Sequence, residues 1–154
     1  MNKALRILPV FFIALICCSG PLFGRGSLPN GPVDFTTILA GAHSTVEKYS
    51  VDLITNNDDW EETWLRTAGN IEPLPQRPSV DFRKEYIIAA FMGERPSSGF
   101  KIEFKKIEKK GKKLIVYVAR HETPGMLPVV THPFNLVRIP RGEYQLEVIE
   151  EMVR

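Results

Sequence analysis

The run Tyr86-Ile87-Ile88-Ala89-Ala90-Phe91-Met92 constrains this fold more than any other stretch of the chain. An apolar run without polar interruption reads as a strand buried on both faces. It leads into Gly93-Glu94-Arg95-Pro96-Ser97-Ser98-Gly99. There two glycines, a proline and two serines supply special φ values or local side-chain hydrogen bonds. Beyond it, apolar Phe100, Ile102 and Phe104 alternate with Lys101, Glu103 and Lys105. That is the period of a half-buried strand. The loop is therefore held between two strands and is expected to sit in solvent, with polar Ser97 and Ser98 facing water.

The remaining segments read as more strands and one helix. Residues 35–39 and 46–55 read as strands, and 56–69 as a helix. Asp58 followed by Glu61 makes a capping box, and Gly69 suits the left-handed position past the helix end. Trp60, Trp64 and Leu65 form an apolar stripe that packs the helix onto a sheet, a core role rather than a ligand platform. Residues 70–79 hold Pro73, Pro75 and Pro78 and must be extended. Strands follow at 85–92, 100–107 and 113–120, the last two joined by a hairpin turn at Lys109-Lys110-Gly111-Lys112. Residues 134–139 and 144–150 supply two final strands around Pro140-Arg141-Gly142. There is no internal repeat and no βαβ alternation. The expected fold is mostly β: an antiparallel β-sandwich or open barrel with one packed α-helix.

The N-terminus belongs to a different physical category. Lys3 and Arg6 precede an apolar segment at 7–16, and Cys17-Cys18-Ser19-Gly20 ends it with small residues. This is the pattern of an export signal over residues 1–18, too short and too interrupted by Pro9 to span a bilayer. Cleavage after Gly20 places Pro21 first in the mature chain, a poor substrate geometry. Leu15-Ile16-Cys17-Cys18 is instead similar to a bacterial lipobox, with Cys18 as the lipidated residue; the alternative is two apolar cysteines in a discarded signal. Both cysteines of the protein lie here, so neither is a folding staple of an exported domain. Residues 19–33, rich in Gly and Pro, read as a flexible tether, and 34–154 as a single β domain. The expected location is the bacterial cell envelope, membrane-anchored through lipid, with a secreted or periplasmic form as the alternative.

Charge excludes one class of partner. The chain has 20 Lys+Arg and 18 Asp+Glu, and removing Lys3 and Arg6 with the signal leaves 18 of each. A neutral mature chain gives no electrostatic footprint for nucleic acid. The lysines between Lys101 and Lys113 are interleaved with Glu103 and Glu108 and read as a solvated hairpin face.

Val80-Asp81-Phe82, Gly93, Pro96-Ser97-Ser98-Gly99-Phe100 and the later Thr131-His132-Pro133-Phe134 together resemble the C-terminal domain of the protease complex subunit PrcB family. The family pattern at the first loop is closer to Pro-Thr-Gly-Gly-Tyr. Ser98 stands where that pattern has glycine, and a residue with a Cβ does not readily take a positive φ. The resemblance implies a non-catalytic, exported module associated with an extracellular protease complex, with no cofactor. The Pro96–Phe100 turn and the Pro133-Phe134 turn are also similar to loops of chagasin-type cysteine-protease inhibitors, small β-sandwiches whose loops plug an active-site cleft. That resemblance implies a loop-based protease inhibitor.

The chemistry-bearing side chains offer little else. His121 and His132 flank residues 123–130 with Glu122 adjacent, but a zinc site needs three or four ligands at recognisable spacing. Ser97 and Ser98 follow Pro96 and lead into a strand, whereas a nucleophile elbow sits between a strand and a helix. No catalytic, cofactor-binding or metal-ligating residue is expected. Met126 and Leu127, bracketed by Pro124-Gly125 and Pro128, spend apolar side chains at a turn. They either tuck into the core or form a contact surface. The expected partner-binding loops comprise Arg95, Pro96, Ser97, Ser98, Gly99, Phe100, Met126, Leu127, Thr131, Pro133 and Phe134, directed at a protein partner such as a protease subunit. The lipid bilayer is the second expected partner, through Cys18.

Overall fold

The computed structural model describes residues 28–154. The expected export signal, Cys18 and the first part of the expected tether lie outside the described residues. In chain order the elements are β1 (Gly31–Pro32), β2 (Thr36–Gly41), β3 (Ser50–Ile54), α1 (Asn57–Ala68), β4 (Glu85–Phe91), β5 (Lys101–Lys110), β6 (Lys113–His121), β7 (Phe134–Pro140) and β8 (Gln145–Val153). They form two open sheets, ordered β1-β5-β6-β8 and β2-β7-β4-β3. The sheets pack face to face, so of the two expected architectures the sandwich is adopted.

β4 lies between two apolar layers, as its uninterrupted sequence requires. Ile88, Ala90 and Met92 point into the intersheet core with Ile102 and Ile107 of β5, Leu114, Val116 and Val118 of β6, and Val137 and Ile139 of β7. Ile87, Ala89 and Phe91 point the other way, against Trp60, Trp64 and Ala68 of α1. Side chains alternate along a strand, so a strand covered on both sides has no position for a polar residue.

The tryptophan stripe is structural. The Trp60 and Trp64 rings meet edge to face, with centroids 5.5 Å apart. Both are buried. The Trp60 Nε1–H donates to the Pro78 carbonyl at 3.0 Å and the Trp64 Nε1–H to the Pro75 carbonyl at 3.2 Å. Each indole therefore fills the core and ties down the extended proline segment, whose carbonyls have no ladder to satisfy them.

Leu65, expected in the buried stripe with the two tryptophans, is 50% exposed, and four further details differ from the sequence reading. The helix cap is Asn56, whose side chain accepts from the Asp59 N–H at 2.9 Å, rather than Asp58. Cap residues of the Asn and Asp type compete closely, and two candidates two residues apart cannot be ranked by type alone. Gly69 has φ −61°, not a left-handed value, because its N–H continues the helical ladder to Leu65 at 2.9 Å. The last strand pairs parallel with β6, so Pro140-Arg141-Gly142 is not a hairpin turn. The chain there crosses from one sheet to the other, braced by the Tyr144 hydroxyl donating to the Pro140 carbonyl at 2.8 Å. Finally, the end of the expected tether joins the fold: Gly31 and Pro32 pair with Lys109 and Glu108, and Val33 is buried.

Candidate functional site

The ladders place the loops of interest at one pole. Phe91 pairs with Phe134 at the end of β4, and Lys101 pairs with His121 at the start of β5. The 93–100 and 122–133 connections both emerge there. The β5–β6 turn and Gly31–Pro32 lie at the opposite pole.

At the loop pole the two connections are joined by a short backbone ladder. Arg95 and Thr131 form an antiparallel bridge, each N–H donating to the other's carbonyl, at 2.8 and 2.9 Å. The Thr131 hydroxyl donates to the Ser97 carbonyl at 3.0 Å. Ser98 N–H donates to the Leu127 carbonyl at 3.0 Å, and its Oγ accepts the Leu127 N–H at 3.2 Å. Gly125 N–H also donates to the Ser98 carbonyl. Two further hydrogen bonds fix the base: Met92 N–H to the Pro133 carbonyl at 2.8 Å and His132 N–H to the Ala42 carbonyl at 2.7 Å.

Glycine is required where these backbones meet. Gly99 has φ +93°, and a Cβ there would lie 2.6 Å from the Thr123 carbonyl oxygen. Among the described residues no non-glycine residue takes a positive φ, so Ser98 sits in an ordinary conformation and its hydroxyl is used across the loop.

Charged groups brace the same pole from below. Arg95 Nη1 donates to the Glu94 carbonyl at 2.7 Å, its Nε lies 3.8 Å from Glu122, and its guanidinium sits 5.9 Å from the Phe100 ring centre. Glu122 also accepts from Arg120 at 2.7 Å, and Arg120 reaches Glu150 at 2.8 Å. At the first residue of this end of β5, Lys101 together with His121 and Lys105 holds the Glu103 carboxyl down to about 2.

The resulting surface is apolar at its tip. Met126 is 97% exposed and Leu127 65%, with Val129 and Val130 also in solvent. Met126 and Leu127 therefore do not tuck into the core. Pro96 is exposed beside them. Val129 and Val130 were not singled out from sequence, although both lie in the same proline-bracketed segment.

The other expected contact residues divide. Ser97 and Ser98 are half-buried and spend their hydroxyls on the loop's own backbone, not on water. Phe100 is half-buried against the intersheet core. Thr131, Pro133 and Phe134 are buried, so they do not belong to an exposed contact surface. Phe134 packs with Leu136 under α1, and Thr131 serves the bridge to Arg95. Their motif resemblance therefore marks the base of the loop, not its tip.

The histidines are used separately. His121 Nε2 lies 2.8 Å from Glu103, while His132 bridges His43 through the backbone and lies 3.8 Å from Glu94. Among the described residues no group of three or more His, Cys, Asp or Glu is placed to hold a metal ion.

Comparison with known proteins agrees with the loops. No curated protein and no solved structure gives a match. The PrcB C-terminal family model matches residues 86–140, which run from β4 through β7. That stretch contains both connections of the loop pole, and the family is the one their residues resemble.

Proposed function

We propose that this chain is an exported, lipid-anchored, non-catalytic domain that binds a protein partner through its loop pole, the partner being a subunit of a protease complex. One observation carries the reading: Met126, Leu127, Val129 and Val130 stand in water on a loop pinned to residues 95–98. Exposed contiguous apolar side chains mark interaction sites. A loop already fixed by its own hydrogen bonds loses little further entropy on binding. The PrcB C-terminal match supports a protease-complex association. Gly31 and Pro32 pair at the pole opposite the loops. Ser97 and Ser98 act as loop braces in this reading, and no residue carries a chemical step.

A Met126→Asp/Leu127→Asp variant tests it. The variant is expected to melt near wild type and to lose co-purification of the protease subunit from envelope extract. Full recovery of the subunit by a folded variant contradicts the reading.

A second reading is a chagasin-like inhibitor, favoured by the side-by-side placement of the 93–100 and 122–133 connections at one pole. It requires dose-dependent inhibition of a cysteine protease by the wild-type chain. Absence of inhibition alongside retained co-purification selects the first.

A further inference from the structure

The second surface lies on a sheet edge, which runs to the loop pole at its Val153 end. An edge strand presents unpaired N–H and C=O groups, and folded proteins blunt such edges with short strands, bulges or lysines. Most edges here are blunted in those ways. β3 has 5 residues, and β2 carries a register break between Thr37 and Leu39. β1 and Val33 cover Lys109, Glu108 and Ile107 of β5; the rest of that edge has a break between Phe104 and Lys106 and bears Lys101, Lys105 and Lys106. β8 lacks all of these devices. Its 9 residues run in unbroken register with β6, from Gln145 opposite Lys113 to Val153 opposite His121. It contains no proline, glycine, lysine or arginine. Among the described residues nothing pairs with its outer side.

We propose that β8 is the docking site for an extended segment of a partner protein, added to the sheet as a further strand and carrying the pattern basic–x–apolar–x–basic. This inference is independent of the loop-pole reading. Gln145 N–H donates to Lys112 and the Val153 carbonyl accepts from Glu122, so the odd-numbered residues of β8 face β6. By alternation Leu146, Val148, Glu150 and Met152 turn their backbone groups outward. Strand addition supplies affinity through those groups and specificity through alternate side chains. Glu147, Ile149 and Glu151 share the outer face of the sheet, so a strand laid beside them meets acid, apolar and acid in turn, Glu147 also accepting from Lys113 Nζ at 2.7 Å. Opposite charges across a strand pair stabilise it and like charges oppose it. A second copy paired about Ile149, or parallel and in register, is opposed for that reason. Antiparallel pairing centred on Ile149 sets Glu147 against Glu151, and parallel in-register pairing sets each glutamate against itself.

Proline provides the test, because an outward N–H is one the ladder to β6 does not use. The probe is a labelled Thr-Lys-Thr-Val-Thr-Lys-Thr peptide titrated into the full chain, with a peptide carrying Glu in place of Lys as the control. Wild type is expected to bind the lysine peptide saturably and to protect the Val148, Glu150 and Met152 amides from exchange. Glu150→Pro is expected to lose that binding, while Glu150→Ala, which also loses the ion pair to Arg120, keeps it. Met152→Pro serves as the second blocking variant should Glu150→Pro not fold. Absence of saturable binding by wild type, equal binding of the glutamate peptide, or binding that survives the proline variants overturns the proposal. Met126→Asp is expected to leave peptide binding intact; its loss there would move the site to the loop pole and overturn the edge proposal alone.

Discussion

Ser98 and Leu127 are joined twice, N–H to carbonyl at 3.0 Å in one direction and N–H to Oγ at 3.2 Å in the other. The pair converts two connections far apart in sequence into one braced surface. Ser98→Ala removes only the second bond. An intramolecular hydrogen bond contributes about 0.5–1.5 kcal/mol net, so the global melt is expected to move little. Amide exchange at Leu127 is expected to accelerate relative to wild type. Unchanged exchange there would mean the hydroxyl does not hold the loop.

Gly99 and Gly111 provide a paired test of backbone geometry. Both have positive φ, but nothing lies within 4 Å of a Cβ at Gly111, whereas at Gly99 it would press on Thr123 and Gly125. Gly111→Ala is expected to cost about 1–2 kcal/mol, the left-handed penalty alone. Gly99→Ala is expected to cost more, because the clash adds to the conformational term. Chemical denaturation of both variants makes the comparison, and equal costs would contradict it.

Trp64 combines packing with a hydrogen bond. Truncating a buried Trp costs about 3–5 kcal/mol, so Trp64→Ala is expected to lower the denaturant midpoint sharply. Trp64→Phe keeps most of the apolar volume and loses the donor to Pro75, a smaller expected loss. A stable Trp64→Ala would contradict the assignment of this side chain to the core.

Glu103 sets a pH dependence. Its carboxyl falls from 4.5 to about 2, chiefly through the hydrogen bond from Lys101, with His121 and Lys105 adding. A depressed carboxyl stabilises the fold above its unfolded value and loses that contribution as it protonates. Wild type is therefore expected to melt above Glu103→Gln at pH values over 4.5, with the gap closing as the pH falls toward 2. A gap that persists through that window would contradict the ion cluster.

Periodicity carried most of the fold. The uninterrupted apolar run of β4 required cover on two sides, and the intersheet core and α1 supply it. The alternation of Phe100, Ile102 and Phe104 located β5, and Gly111 located its turn. Strand direction was not legible, because a period of two is the same for parallel and antiparallel pairing; β8 differs for that reason. The candidate site was legible as a set of loops but not in its layers. A motif such as Thr131-His132-Pro133-Phe134 marks a constrained backbone, and only the fold distinguishes a buried base from an exposed tip. Met126 and Leu127 were recognisable because proline and glycine around them left no regular strand to bury their side chains.

Contact between the loop pole and a protein is what the proposed function requires. A photo-crosslinking amino acid placed at position 126 of the full-length chain, activated in the intact envelope, tests this most directly. One discrete protein adduct is expected, a protease subunit by mass spectrometry, diminished when Leu127→Asp is added. Adducts to lipid alone, or none from a folded and correctly located chain, would contradict it.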